Sequence, residues 1–260
     1  MKAMILAGGL GTRLAEETTT KPKPMVEIGG RPMLWHIMKT YQQHGVTDFI
    51  VCLGYKGEVI KQYFINYRNY VSDVCVDLVS GKIEYGKDQV EPWRVTLADT
   101  GMETQTGGRI RRVRDYIGDE TFCMTYGDAV TNLDIRRVID FHLSHGKMAT
   151  VTSVRPIARF GSIELDGNLV SHFEEKSPEE GGWVSGGYFV LSPDVFDLID
   201  GDDVVWEHAP MQRLVEEGEL AAYLHDGFWH CMDTPRDKLH LEQLWHSSNP
   251  PWATWKGAVS

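Results

Sequence analysis

The segment Lys2-Ala3-Met4-Ile5-Leu6-Ala7-Gly8-Gly9-Leu10-Gly11-Thr12-Arg13-Leu14 decides how the rest of the chain is read. An apolar run this short beside glycines is the pattern of a buried parallel strand that feeds a loop. Gly8, Gly9 and Gly11 let the backbone approach a ligand and turn N–H groups toward phosphate oxygens, and Arg13 adds a bidentate fork. The loop therefore reads as a phosphate cradle. Two familiar alternatives fail on individual residues. A P-loop requires Lys-Ser or Lys-Thr after its last glycine, where Thr12-Arg13 stands, and the dinucleotide fingerprint requires a third glycine, where Leu14 stands. A flexible turn without chemistry is the remaining reading, and the strand before it and basic residues after it speak against that.

Working outward, Lys21-Pro22-Lys23-Pro24-Met25 alternates lysine with proline, which predicts an extended backbone that fixes where each lysine points. Lys23 is the phosphate-binding candidate, against the alternative of an ordinary solvated lysine. After Pro32, the residues Leu34, Ile37, Met38 and Tyr41 fall at i, i+3, i+4 and i+7, and Gly45 follows, so an amphipathic helix is predicted. Residues 48–53 read as a second buried strand, which completes a right-handed strand, helix, strand crossover. The alternation continues with helices at 58–67, 110–117 and around 135–142, and strands at 95–98 and 122–126. A Rossmann-like, doubly wound α/β sheet follows from that rhythm. Beyond it, strand-like runs at 149–154, 162–165, 169–175 and 184–191 are separated by turns such as Asp166-Gly167-Asn168, which predicts a mixed sheet with a hairpin over the substrate side. Helices at about 204–217 and 238–246 close the fold, and the tail from 250 carries Trp252 and Trp255 outside any period.

Composition narrows the function classes. The 260 residues, 42% of them hydrophobic, suffice for a single domain with a substantial core. With 26 basic against 37 acidic residues the formal charge is −11, which argues against a nucleic-acid or anionic-membrane surface. Cys52, Cys75, Cys123 and Cys231 show no C-x-x-C pairing, and three of the four fall in strand-like runs, so reduced, buried thiols in a cytoplasmic protein are expected. No signal-peptide architecture or apolar segment of spanning length is seen.

The pattern G-G-x-G-T-R-L, followed about ten residues later by P-K-P-M, resembles the signature of the nucleotidyltransferases that activate sugar 1-phosphates. The likeness runs through Tyr126-Gly127-Asp128, Arg159-Phe160-Gly161, Phe173-Glu174-Glu175-Lys176, Gly186-Gly187-Tyr188-Phe189 and Met232-Asp233-Thr234. Val90-Glu91-Pro92-Trp93, Thr106-Gly107-Gly108-Arg109, Gly227-Phe228-Trp229 and the tryptophan-rich tail are most similar to members that use CTP and glucose 1-phosphate. The resemblance implies a nucleotide-diphospho-sugar transferase fold, Mg²⁺ as cofactor, a homo-oligomer, and a CDP-sugar product for O-antigen deoxysugar synthesis. It implies a nucleotide-binding half over about 1–130, a sugar-phosphate-binding half over about 131–235, and a C-terminal helix and tail. Leu6, Ala7, Gly8, Gly9, Gly11, Thr12 and Arg13 then address CTP, and Lys23 the phosphates at the reacting end. Asp128 and Asp233 become the metal ligands, while Tyr126, Gly127, Glu175, Lys176, Gly186 and Gly187 address the hexose 1-phosphate. Arg13, Lys23, Asp128 and Lys176 form the implied catalytic set. The family usually has Glu-Lys-Pro where this chain has Glu175-Lys176-Ser177-Pro178.

The residues themselves leave some of this open. Asp128 ends a buried strand, the usual ligand edge of an open α/β sheet, and Mg²⁺ takes one or two carboxylates with phosphate oxygens and water. Each aspartate alone is equally readable as a turn or cap residue, and Asp233-Thr234-Pro235 looks like a helix start. Cytosine needs an acceptor for its amine and a donor for its carbonyl. Thr104, Gln105, Thr106 and Arg109 offer such groups, although Arg109, Arg111, Arg112 and Arg114 also suit a helix face. Three rivals remain: a nucleotidyltransferase for another base or sugar, a non-catalytic sugar-nucleotide-binding subunit, and a Rossmann dehydrogenase, which the missing third glycine disfavours. Residues 80–93, with Trp252 and Trp255, are expected to be subunit contacts, because exposed tryptophans need cover.

Overall fold

A computed structural model of the chain describes residues 1–87, 89–156, 162–166, 169–174 and 182–256. Its central sheet has seven strands, β1 (Lys2–Leu6), β2 (Asp48–Leu53), β3 (Arg94–Asp99), β4 (Phe122–Tyr126), β5 (Ala149–Val154), β6 (Val184–Leu191) and β7 (Leu220–His225), in the order β7-β5-β6-β4-β1-β2-β3. Strands β3, β2, β1 and β4 are parallel, β6 is antiparallel to both its neighbours, and β5 and β7 are parallel to each other. The principal helices are α1 (Met33–Gln43), α2 (Gly57–Ile65), α3 (Thr106–Arg112), α4 (Ile135–His145), α5 (Ala209–Glu216) and α6 (Pro235–Trp245). The mixed, doubly wound sheet expected from the sequence is present.

Alternation along β1 explains why its run is apolar throughout. Ala3 and Ile5 enter a core shared with Leu34, Ile37 and Met38 of α1 and with Val138 of α4. Met4 and Leu6 enter a second core on the opposite face, with Ile110 of α3, Phe196, Trp206 and Leu214. A strand covered on both faces has no polar side to offer.

Several expectations need correction. The helix expected over 110–117 is two short ones, α3 and Arg114–Ile117, and α3 begins already at Thr106. The helix expected from 204 starts at Ala209, with Pro210 in its first turn. Residues before it instead lie against α3, where the backbone N–H groups of Gln105 and Gly108 donate to the carbonyls of Asp202 (2.8 Å) and Val204 (3.2 Å). Lys23–Met25 is a 3₁₀ turn closed by Met25 N–H donating to Pro22 O at 2.8 Å, while Pro22 keeps the extended backbone expected there. Strand β7 and the hairpin Val74–Val76 with Ile83–Tyr85 were not expected. All four cysteines are free as anticipated, but Cys75 lies exposed on that hairpin. No described helix is long and apolar enough to cross a membrane.

The tail also differs from expectation. Trp252 is 0% exposed and joins the first core, so this side chain is covered by its own chain and cannot be a subunit contact. It packs around His36 of α1 together with Trp35, Trp245 and Trp255, with ring centroids 4.7 to 6.5 Å from the imidazole. His36 Nε2 donates to Ile28 O at 2.8 Å, and Nδ1 accepts from Trp252 Nε1 at 3.3 Å, which fixes the neutral tautomer. Burial lowers the pKa of His36 to about 4, and burial beside His145 does the same for His142. Both groups bind a proton more readily in the unfolded chain, so they leave stability untouched above pH 6.5 and erode it as pH falls from 6.5 toward 4. Unfolding free energy measured with urea should fall by roughly 2 kcal/mol per histidine between pH 7.5 and pH 5. A flat profile over that range would contradict this assignment.

Candidate active site

Strand β1 ends at the carboxyl edge of the sheet beside β2 and β4, with Leu6 in register with Cys52 and Tyr126. The segments that follow β1, β3 and β4 meet at one place. A cleft of about 480 Å³ is lined by residues 6–12 of the glycine loop, Lys23 and Pro24, residues 102–106 and Arg109, Tyr126, Gly127 and Asp128, and Asp233. Residues singled out in five separate stretches of sequence are therefore neighbours.

The loop is shaped by two glycines with different tasks. Gly11 has φ +64°, a conformation that L side chains rarely adopt, and its carbonyl accepts from Leu14 N–H at 3.0 Å and from the Thr18 hydroxyl at 3.2 Å. At Gly8 a Cβ would stand 2.3 Å from the Arg109 guanidinium. Arg109 is buried, and its Nη atoms donate to the carbonyls of Leu53, Gly101, Met102 and Gly8 and to the Thr100 hydroxyl, at 2.8 to 3.2 Å. It thus ties the glycine loop to the ends of β2 and β3 while lining the cleft. Tyr55 and Lys56 donate to the Thr18 carbonyl and hold the far end of the loop.

At the cleft floor, Lys23 Nζ lies 2.8 Å from Asp128 Oδ2 and 2.6 Å from Asp233 Oδ1. Burial works against the Lys23 charge, but the two carboxylates outweigh it and hold its pKa above the ordinary lysine value. The helix-start reading of Asp233 is borne out. It immediately precedes Thr234, the N-cap of α6 in a capping box with Asp237, whose carboxylate also accepts the Asp233 N–H at 3.1 Å. The positive end of the helix favours a carboxylate there. Cys231 Sγ lies 3.4 Å from Asp233 Oδ2, and burial together with that charge pushes its thiol up to about 12. A protonated thiol is a poor nucleophile, which argues against covalent chemistry at Cys231.

On the opposite wall, Thr106 donates to Glu207 Oε2 at 2.6 Å, and the Tyr126 hydroxyl donates to Glu207 Oε1. Glu207 therefore bridges the start of α3 to the end of β4. Nothing in the sequence marked it, because it carries no motif and its stretch read as the start of a helix. Gly187 lies against the Tyr126 ring, and the Gly186 carbonyl accepts from Trp229 Nε1 at 2.8 Å, so both glycines stand behind the cleft wall rather than lining it. Arg159-Phe160-Gly161, Glu175 and Lys176 lie outside the described residues, as does the Arg13 side chain.

Comparison with known proteins fits this geometry. The family model described as nucleotidyl transferase matches residues 2–237. The glucose-1-phosphate cytidylyltransferase of Salmonella typhi is 54% identical over 98% of this chain and 100% of its own length. A probable glucose-1-phosphate cytidylyltransferase of Bacillus subtilis is 43% identical over 98% of this chain and 100% of its own length. In fold, the chain is similar to the crystal structure of HddC from Yersinia pseudotuberculosis, with a TM-score of 0.68 at 24% identity over 94% of this chain and 99% of that one. The chain belongs to the nucleotidyl transferase family.

Proposed function

We propose that the chain transfers the cytidylyl group of CTP to α-D-glucose 1-phosphate, giving CDP-glucose and pyrophosphate. The observation that carries the reaction class is the meeting of Lys23, Asp128 and Asp233 at the floor of a cleft whose rim is the glycine loop. The choice of CTP and glucose rests on the 54% identity to the Salmonella typhi enzyme.

In this reading an oxygen of the sugar 1-phosphate attacks the α-phosphorus of CTP. The new P–O bond forms as the bond to the bridging β-phosphate oxygen breaks, and pyrophosphate leaves with the electron pair. The attacking oxygen is already ionised, so no protein base or nucleophile is needed, consistent with the protonated Cys231 thiol. The backbone of Gly8, Gly9 and Gly11, with Thr12 and Arg13, binds the triphosphate, and Thr104, Gln105, Thr106 and Arg109 form the base wall. Lys23 neutralises charge at the reacting phosphates, and Lys176 with Glu175 receives the sugar phosphate.

Asp128 and Asp233 would hold Mg²⁺. Two hard carboxylates suit that ion, which completes its shell with phosphate oxygens and water. When bound, Mg²⁺ supplies charge neutralisation on the triphosphate and the leaving pyrophosphate. The product is an activated sugar for a downstream glycan-building enzyme, and a cytoplasmic homo-oligomer is the expected form of the protein. Incubating the protein with CTP, glucose 1-phosphate and Mg²⁺ should yield CDP-glucose by mass spectrometry, and excess chelator should stop it. Neither product nor chelator sensitivity would be seen from a binding-only subunit.

Glu207 gives a sharper test of the wall. Glu207→Ala removes the acceptor of both the Tyr126 and Thr106 hydroxyls, and kcat/KM should fall about tenfold, because modest misplacement of binding groups is enough for such losses. Glu207→Gln can accept from Thr106 and donate to the Tyr126 oxygen, and should stay within a few-fold of the parent enzyme. Equal loss in both variants would show that the charge, not the bridge, is what matters.

A further inference from the structure

Lys23 stands where a cation belongs. Its ammonium touches one oxygen from each of two carboxylates, at a depth where the lysine side chain is 12% exposed and Asp233 is 14% exposed. Two carboxylates converging on one point repel strongly when a positive charge is not placed between them. Here the chain supplies that charge itself.

The same place offers a divalent ion little else. Among the described residues no group of three or more His, Cys, Asp or Glu side chains is arranged to hold a metal. Two carboxylates fall well short of the roughly six oxygens that Mg²⁺ gathers, so the remaining ligands have to arrive with it. The lysine stem lies against the glycine loop, since a Cβ on Gly11 would meet Lys23 Cβ at 3.1 Å. Rotation about the outer side-chain bonds alone carries the ammonium away from the carboxylates within the same cleft.

We propose that Lys23 is the resident counter-ion of the Asp128–Asp233 pair, and that it exchanges places with a divalent cation entering as its nucleotide complex. The cation takes over the two carboxylates, and the released ammonium turns to the phosphates that came with it. The nucleotide step of this exchange rests on the reading of the chain as a metal-dependent nucleotidyltransferase. One consequence is that the nucleotide-free protein binds free divalent ions weakly, so metal and nucleotide load together.

The exchange can be read without turnover. Mn²⁺ is titrated into the nucleotide-free full-length chain, and free Mn²⁺ is followed by electron paramagnetic resonance. Lys23→Met keeps the stem and removes the charge, and should bind Mn²⁺ at least about tenfold more tightly than the parent. Adding Asp128→Asn to that variant should abolish the gain. Equal or weaker Mn²⁺ binding by Lys23→Met overturns the proposal. Where Lys23→Met fails to fold, the parent protein decides: acylation of Lys23, located by mass spectrometry, should accelerate when Mn²⁺ saturates the site, and an unchanged rate overturns the exchange. Pyrophosphate release from CTP and glucose 1-phosphate by the parent is measured alongside. Turnover without the Mn²⁺ effects sinks the exchange alone, whereas Mn²⁺ effects without turnover uphold the exchange and sink the reaction reading.

Discussion

Lys23→Ala is expected to lower kcat for pyrophosphate release about a thousandfold while leaving the fold intact. Removing one preorganised donor from a water-poor site is worth about 10²- to 10³-fold in rate. Here that donor is the Lys23 ammonium, which neutralises charge at the reacting phosphates once the substrates are bound. Lys23→Arg should not restore the rate, since a bulky planar fork does not replace a compact point charge on a stem packed against Gly11. Circular dichroism and a urea unfolding curve distinguish lost chemistry from lost structure. A folded Lys23→Ala protein with near-parental kcat would remove Lys23 from the mechanism.

The second large effect concerns stability. Trp252→Ala should destabilise the protein by about 3–5 kcal/mol, the range for truncating a buried aromatic side chain. The indole is 0% exposed, stacks against Phe228 and Trp245 with centroids 5.7 and 6.0 Å away, and donates to His36. Its loss leaves both a cavity and an imidazole nitrogen without its donor. Such a change is a large share of the stability of an ordinary domain, so the urea midpoint should drop sharply. A change below about 1 kcal/mol would mean that the tail is only loosely attached, against the packing described.

The first half of the fold was legible because periodicity and punctuation agreed: the apolar run of β1, the 3.6-residue spacing of α1 and the closing Gly45 each state the same architecture. Lys23 was legible from its place between two prolines after a glycine loop, although the 3₁₀ turn that holds it was not, whereas Asp128 and Asp233 were singled out by the family resemblance, each alone reading equally as a turn or cap residue. What failed was whatever depends on distant packing. Trp252 lies outside any period, and its burial is decided by a helix 216 residues earlier in the chain. Strand β7 alternates partly buried with exposed residues at the sheet edge, which leaves LAAYLH without the continuous apolar run that betrayed β1. Arg109 read as a candidate base contact or as one member of a basic helix face, yet of those arginines it alone turns inward to fix the glycine loop. Glu207 had no signal at all, because its importance lies in two hydroxyl partners 81 and 101 positions away.

The most direct test of the central claim is pyrophosphate release by the purified protein with glucose 1-phosphate and Mg²⁺, comparing CTP, UTP, dTTP, ATP and GTP in parallel. The account predicts rapid release with CTP and little with the other four. Comparable or faster release with another nucleotide would contradict the cytidylyl assignment while leaving the metal site and the reaction type in place, and silence with all five would contradict the reaction itself.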